Sequence, residues 1–208
     1  MMGNDARFIL RSSLTSPYGR KVRIAAEVLG LAARITLAPA DTLDPGDPLR
    51  HDNPLGKMPC LLLSDGTAIF DSRVIVELLQ EMAGVDLLLP VGGSARYPTL
   101  TRATLADGVT DAALLMVYER RFREAAAVSE QWLAHQEGKI ARALSVFAQS
   151  PPDVADLDLA AIGLVCALGY LDWRQPVAWR PRYPALVDWL ARMEGQHPAL
   201  RNNPPPSG

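Results

Sequence analysis

The sequence predicts an α/β unit in residues 1–84, a linker over 85–97 and an all-helical unit in residues 98–208. Three observations favour this division. Short apolar runs between turn signals alternate with helical patterns in the first part, in the order βαβ and then ββα. The middle segment is rich in glycine, proline and serine, which is typical of a connection. Beyond it, every periodic segment repeats its apolar residues at helical spacing, so a helical bundle is expected.

The βαβ part begins with an apolar run at residues 7–12, which is suited to a strand. Ser16 and Pro17 follow it as an N-cap and a first helical residue. The predicted helix ends at Gly30, a typical C-terminal stop. Residues 34–37 then form the second predicted strand.

A loop rich in proline and glycine, residues 39–58, separates this part from the ββα part and has room for a short helical turn. Residues 60–63 and 67–70 predict two strands, because the Ser-Asp-Gly between them is a hairpin turn signal. Asp71 and Ser72 then begin a helix that ends near residue 84.

The helical unit is predicted to contain two long helices followed by two shorter ones. These helices span residues 98–125, 129–149, 159–173 and 183–194. Asp158 is the expected N-cap of the third helix. The segment 195–202 adds a short turn, and the proline-rich end of the chain is expected to be frayed.

Charge and hydropathy exclude several classes of protein. The net charge is −2 and the pI about 5.9, which is not the footprint of a nucleic-acid binder. No apolar run reaches the length of about 20 residues that a membrane-spanning helix needs, and the N-terminus lacks a secretory pattern, so a cytoplasmic protein is expected.

The basic cluster of Arg20, Lys21 and Arg23 is expected to be a solvated helix face. Cys60 and Cys166 lie in apolar runs, which predicts buried thiols and no metal site.

The first candidate functional segment lies between the first strand and the first helix, at Ser16. A helix N-terminus carries partial positive charge and N–H donors, and a thiolate placed there is stabilised. A serine hydroxyl at the N-cap accepts one helix N–H and still has a proton to donate to a sulfur atom. The plainer interpretation, that Ser16 is only a helix cap, fits the local sequence at least as well.

Two further segments have a functional and a plain interpretation each. A cis bond between Met58 and Pro59 would turn the chain and leave the Met58 backbone to pair with an extended peptide, although proline at a strand start is common. At the next helix start, Ser72 could bind a carboxylate and Asp71 an ammonium group, which together suit an amino-acid head group. The plain interpretation is again a helix cap.

Together, these segments resemble the glutathione S-transferase family, and the resemblance covers nearly the whole chain. The similar segments read TSPYGRKVRIA, NPLGKMPCLLLSDGTAIFDS and DLDLAAIGLVCALGYLDW. The chain looks most like a bacterial, serine-type subgroup. The resemblance implies a thioredoxin-like domain followed by an all-helical domain, a homodimer, and glutathione as co-substrate without a metal.

The resemblance also implies a role for individual residues. Ser16 aligns with the serine that hydrogen-bonds the sulfur of glutathione. The other implied glutathione contacts are Lys57 and His51 for the glycine carboxylate, Met58 and Pro59 for the cysteinyl unit, and Asp71 and Ser72 for the γ-glutamyl head.

For a hydrophobic electrophile, the resemblance implies contacts from Leu14, Thr15, Tyr18 and Tyr118, although the helical spacing of Leu115 and Tyr118 fits a core position as well. Three functions stay open at this point. The first is transfer of glutathione to an electrophile, and the second is a glutathione-binding stress or regulatory protein with little transferase activity. The third is a glutathione-dependent reductase or peroxidase. Because the chain reads Ser-Pro-Tyr-Gly where glutaredoxins have Cys-Pro-Tyr-Cys, dithiol exchange through the protein is excluded.

Overall fold

In the computed structural model, which describes residues 7–206, the chain divides into one unit up to Leu89 and a second unit from Pro90 onward. The first unit contains strands β1 to β4 and helices α1 to α3. Its elements are β1 (Phe8–Ser12), α1 (Pro17–Val28), β2 (Ile35–Pro39), α2 (Leu49–Asp52), β3 (Cys60–Leu62), β4 (Ala68–Ile69) and α3 (Ser72–Ala83). This is the predicted order, βαβ followed by ββα.

The strands form a mixed sheet in the order β2-β1-β3-β4. β1 pairs in parallel with β2, as a βαβ unit requires, and β3 pairs antiparallel with both β1 and β4. β2 continues to Pro39, two residues beyond the predicted strand, where it pairs with Ser12. Proline is tolerated there because β2 is an edge strand.

Helix α1 lies very close to β1. A Cβ atom added at Gly19 would stand 2.0 Å from Oγ of the buried Ser12, so only glycine fits this position without a shift. The apolar face of α1 packs against α3, and Val22 of α1 and Ile75 of α3 are both fully buried. This close packing fixes the start of α1 relative to the end of β1.

The prediction that the basic cluster of α1 forms a solvated helix face is wrong for Arg20 and Lys21. Arg20 and Lys21 are each only 2 % exposed, and the Lys21 ammonium lies 5.8 Å from the centre of the Tyr18 ring. Long basic side chains can bury their aliphatic stems along apolar surface. Helical periodicity identifies the apolar face of α1, but it does not reveal that the side chains of Arg20 and Lys21 are buried as well.

The second unit is all helical, as predicted. Its helices are α4 (Arg96–Arg121), α5 (Glu130–Gln149), α6 (Leu159–Arg174), α7 (Pro184–Gln196) and α8 (Pro198–Asn202). α6 is the central helix, buried along its length from Leu159 to Leu171, and α4 packs against both α5 and α6. Asp158 caps α6 by accepting a hydrogen bond from the Ala161 N–H at 2.7 Å, as predicted.

Both ends of α4 differ from the predicted ones. α4 begins at Arg96 and ends at Arg121, rather than spanning 98–125. Before it, Leu88 and Leu89 are buried, and their N–H groups donate to the Gln80 side chain at 2.8 and 2.9 Å. This stretch therefore packs with the first unit.

The chain end is ordered further than expected. Asn203 is 8 % exposed, and its side-chain amide donates to the Ala199 carbonyl at 2.9 Å. The prediction of a frayed end is wrong at Asn203, because an amide can satisfy a helix carbonyl that proline cannot. Residues 207–208, which the same prediction covered, lie outside the described residues. Over residues 7–206, no helix has both the length and the apolar character needed to cross a membrane.

Candidate functional site

The three candidate segments meet at one end of the sheet. Arg11 at the end of β1 pairs antiparallel with Cys60 at the start of β3. Continued by two residues, this register brings Ser13 opposite Met58. β4 runs antiparallel to β3 and ends at this same end of the sheet, with Phe70 between its last residue, Ile69, and Asp71. The topology therefore places a helix start, a loop and a second helix start side by side.

Ser16 is the N-cap of α1. Its hydroxyl accepts a hydrogen bond from the Gly19 N–H at 3.0 Å, and the residue is 7 % exposed. A hydroxyl that accepts one N–H keeps its own proton for another acceptor. The unpaired N–H groups and partial positive charge of the helix N-terminus favour a negative charge there. The geometry is suited to holding a thiolate sulfur.

Ser13 connects this loop with the next one. Its hydroxyl donates to the Met58 sulfur at 3.3 Å and lies 2.8 Å from the Thr15 hydroxyl oxygen. Leu14 and Thr15 are exposed, and Tyr18 in the first turn of α1 is half-buried. The sequence offered no sign that Ser13 would contact Met58, because that contact depends on the register of β1 and β3.

The loop before β3 is held by the side chain of Asn53, which begins the second similar segment of the sequence but had no individual role predicted for it. Asn53 is 2 % exposed, accepts a hydrogen bond from the Leu55 N–H at 3.0 Å and donates one to the Lys57 carbonyl at 2.7 Å. Asparagine closing a turn on the backbone two residues ahead is a known turn pattern, and was the available signal. The turn leaves the Lys57 side chain exposed and leads into a cis Met58–Pro59 bond.

An ion pair lies beside this loop. The Arg11 guanidinium donates to the carboxylate of Asp52 at the end of α2, and the His51 ring lies 3.1 Å from the other carboxylate oxygen. Burial raises the pKa of Asp52, but the hydrogen bonds from His51 and Arg11 outweigh it and hold that pKa below its usual value. The His51 side chain is itself 93 % exposed, so it can face a ligand in solution.

Cys60 is not a reactive thiol in this arrangement. Burial, reinforced by the nearby Asp52 charge, raises the pKa of Cys60 to about 11. Because the thiolate is the nucleophile, Cys60 is inert near neutral pH. Any thiol chemistry at this end of the sheet must use a thiol supplied by a ligand.

The start of α3 offers opposite charges to a ligand. Asp71 is exposed and caps the helix, accepting a hydrogen bond from the Arg73 N–H at 2.9 Å through one carboxylate oxygen. Ser72 is the first helical residue and is 3 % exposed. A carboxylate beside the positive end of a helix suits a ligand that carries both an ammonium and a carboxylate group.

Comparison with known proteins decides the family. Residues 15–82 match the glutathione S-transferase N-terminal domain. The GST-like protein YibF of Escherichia coli K12, itself described as uncharacterized, is 32 % identical over 201 residues, which cover 94 % of this chain and 98 % of that protein. The chain belongs to the glutathione S-transferase family. The predicted fold, a thioredoxin-like domain followed by a helical domain, is thereby confirmed.

Solved structures of a glutathione transferase family member from Pseudomonas fluorescens Pf-5 are similar over nearly the full length. In the crystal structure with bound glutathione, the relative is 40 % identical with a TM-score of 0.89, and the match covers 96 % of this chain and 100 % of that one. A second structure of that transferase contains bound S-(propanoic acid)-glutathione and has a TM-score of 0.85, with the same identity and coverage.

The fold brings most of the site residues predicted for glutathione to one end of the sheet. Ser16, Asp71 and Ser72 lie at helix starts there, and Lys57, Met58 and Pro59 lie on the adjoining loop. His51 lies on α2, next to Asp52. Of the residues predicted for the electrophile, Leu14, Thr15 and Tyr18 belong to the loop and first turn around Ser16, whereas Tyr118 belongs to α4 in the helical unit.

Proposed function

We propose that this glutathione S-transferase family member binds glutathione at the end of its sheet and activates the thiol for attack on a small hydrophobic electrophile. The observation that carries this proposal is the convergence of the Ser16 cap, the Met58 loop and the Asp71 cap. The glutathione bound by the Pseudomonas relative, 40 % identical over nearly the whole chain, supports it.

Each end of glutathione has a chemically matched partner in this arrangement. The ammonium of the γ-glutamyl head pairs with the Asp71 carboxylate, and its own carboxylate accepts from the Ser72 N–H and hydroxyl. The Met58 backbone pairs with the cysteinyl unit beside Pro59. At the other end, the exposed side chains of Lys57 and His51 attract the glycine carboxylate.

The sulfur then lies near Ser16. The Ser16 hydroxyl donates to the thiolate while it still accepts from Gly19. The thiolate attacks the electrophilic carbon, the leaving group departs with its electron pair, and a thioether forms. The exposed Leu14 and Thr15 and the half-buried Tyr18 lie on the Ser16 side of this loop and are proposed to contact the electrophile. The role of Tyr118, which belongs to the helical unit, stays a prediction. The S-substituted glutathione bound by the Pseudomonas relative supports a site that accepts an alkylated sulfur.

An aryl-halide conjugation assay tests the transferase step. With 1-chloro-2,4-dinitrobenzene and glutathione, we expect a protein-dependent rate that saturates with glutathione concentration. Glutathione binding without such a rate, across several classes of electrophile, would instead indicate a binding protein. Reduction of a disulfide or peroxide would have to use the thiol of glutathione, because Cys60 is inert. The homodimer that the family resemblance implies for this chain stays a prediction.

Asn53 supplies a prediction about positioning. Asn53→Ala removes both hydrogen bonds that shape the loop ending at Met58, so we expect the KM for glutathione to rise by about fivefold to thirtyfold, with a smaller change in kcat. Steady-state kinetics with glutathione as the varied substrate measures the split.

The matched control is Asp65→Ala, which removes a similar turn contact, to the Thr67 N–H at 2.8 Å, in the β3–β4 hairpin. That variant should leave KM unchanged. If Asn53→Ala also leaves KM unchanged, Asn53 acts on folding alone and the positioning role is wrong.

A further inference from the structure

Helix α2 is too short to hold its own position, although it carries His51. It has four residues, Leu49–Asp52, and an isolated helix shorter than about 12–15 residues is marginal in water. Its apolar anchor is Leu49, which is fully buried in a cluster with Ala40 and Cys60. The other end of the helix, where His51 lies, needs a second attachment to the sheet.

The ion pair between Arg11 and Asp52 supplies this attachment. Nε of Arg11, on β1, donates to Oδ2 of Asp52, the last residue of α2, and the two side chains are only 21 % and 12 % exposed. Burial is the main reason for the raised pKa of Cys60, but Asp52 also raises that pKa and Arg11 lowers it, so both charges lie near the start of β3. The pair therefore fixes the end of α2 against the two central strands.

The second oxygen of the same carboxylate holds the imidazole ring of His51. Oδ1 of Asp52 lies 3.1 Å from Nδ1 of His51. The His51 side chain is 93 % exposed, so its other ring nitrogen, Nε2, is accessible to a ligand. The hydrogen bond at one ring nitrogen sets what the other can offer. Arg11 thus fixes the carboxylate, and the carboxylate fixes the ring.

Arg11 also compensates a charge that would oppose an anionic ligand. Although burial raises the pKa of Asp52, the hydrogen bonds from His51 and Arg11 hold it below its usual value, so Asp52 is charged near neutral pH. A carboxylate without compensation beside His51 would repel the glycine carboxylate of glutathione. With the Arg11 guanidinium in contact, this repulsion is cancelled, and the exposed Lys57 and His51 attract the ligand.

The pair also has a simple structural explanation, as a brace that stabilises α2. An ion pair with so little exposure adds little folding stability over an apolar pair of similar size. An apolar pair could brace α2 equally well, but it would leave the His51 ring without its partner. The use of both carboxylate oxygens, one for the sheet and one for His51, is what stability alone does not explain.

We propose that Arg11 and Asp52 are positioning residues for recognition of the glycine carboxylate of glutathione. Asp52 orients His51, while Arg11 holds Asp52 in place and cancels its charge. Both act through His51 rather than by contact with glutathione. This inference rests on the proposed function, because it concerns the ligand of the same site.

Calorimetry of the full chain with glutathione and with its glycine ethyl ester tests the proposal, since the ester lacks only the charge of that carboxylate. We expect the wild type to bind glutathione about tenfold more tightly than the ester, or better. Arg11→Met keeps the length of the side chain without its charge and should remove most of this preference, with less than about a threefold change in affinity for the ester. A role in folding alone would change neither the preference nor its dependence on charge.

Two further variants complete the experiment. His51→Gln should lose most of the preference as well, and because His51 is exposed this variant should fold even if Arg11→Met does not. Arg34→Met makes the same substitution at a half-buried arginine 5.0 Å from the Phe8 ring, at the other end of β1. This control should bind both ligands as the wild type does.

The possible failures are distinguishable. Equal affinity of the wild type for glutathione and the ester, or an unchanged preference in Arg11→Met or in His51→Gln, would overturn the positioning role and leave the proposed function standing. A wild-type chain that binds neither ligand would overturn the proposed function, and the positioning role with it.

Discussion

Asp71→Ala should weaken glutathione binding by about tenfold to over a hundredfold, because a charge-assisted contact is worth about 1.5–3 kcal/mol. The exposed Asp71 carboxylate is the group proposed to hold the ammonium of the γ-glutamyl head. Alanine also removes the N-cap contact to Arg73, which costs about 1 kcal/mol of folding free energy. Calorimetric titration with glutathione, well below the melting temperature, measures the loss in affinity.

The Asp71→Asn variant separates charge from capping. Asparagine caps helices about as well as aspartate, so the folding free energy should stay close to that of the wild type. The negative charge is gone, and most of the loss in glutathione affinity should therefore persist. If Asp71→Asn binds glutathione as tightly as the wild type, the carboxylate does not hold the ammonium group.

Ser16→Ala should lower turnover by about tenfold or more near neutral pH and leave glutathione affinity nearly unchanged. The thiol of glutathione is like that of cysteine, with an unperturbed pKa of about 8.5, so only a few per cent is thiolate at pH 7. One charge-assisted hydrogen bond, worth about 1.5–3 kcal/mol, corresponds to a lowering of about one to two pKa units. Loss of the Ser16 hydroxyl therefore returns most of the bound thiol to the unreactive form.

Thiolate absorbance near 240 nm, followed across pH in the bound complex, measures this pKa directly. The titration should shift to higher pH in Ser16→Ala and return towards the wild type in Ser16→Thr, which keeps a hydroxyl and a cap. Asp158→Ala removes the cap of α6 instead and controls for lost stability. If wild type and Ser16→Ala titrate at the same pH, Ser16 is only a cap, and Thr15 or a backbone N–H becomes the next candidate.

Local signals in the sequence were sufficient for the order of the elements. Ser16, Asp71 and Asp158 are each followed by helical periodicity, and each does cap a helix in the structure. These features depend on a few neighbouring residues, so the sequence alone reveals them. The burial of Arg20 and Lys21 depends on which elements cover α1, and local patterns do not contain that information.

The candidate site was predictable in its parts but not in its connections. The residues at the helix starts and at Met58 could be selected by chemistry and by resemblance to a family. The contact between Ser13 and Met58 depends on the pairing of β1 with β3, whereas the turn that Asn53 closes is local. Contacts between residues about 45 positions apart follow from tertiary structure, so the sequence pattern could not supply them.

Calorimetric titration of the wild-type chain with glutathione, alongside ophthalmic acid, tests the central claim most directly. Ophthalmic acid has a methyl group in place of the thiol and retains both charged ends of glutathione. We predict that both ligands bind at one site per chain with micromolar to millimolar affinity. Neither heat nor a thermal shift at about 10 mM glutathione, where even a millimolar ligand would raise the unfolding free energy by about 1.4 kcal/mol, would contradict the assignment of the site.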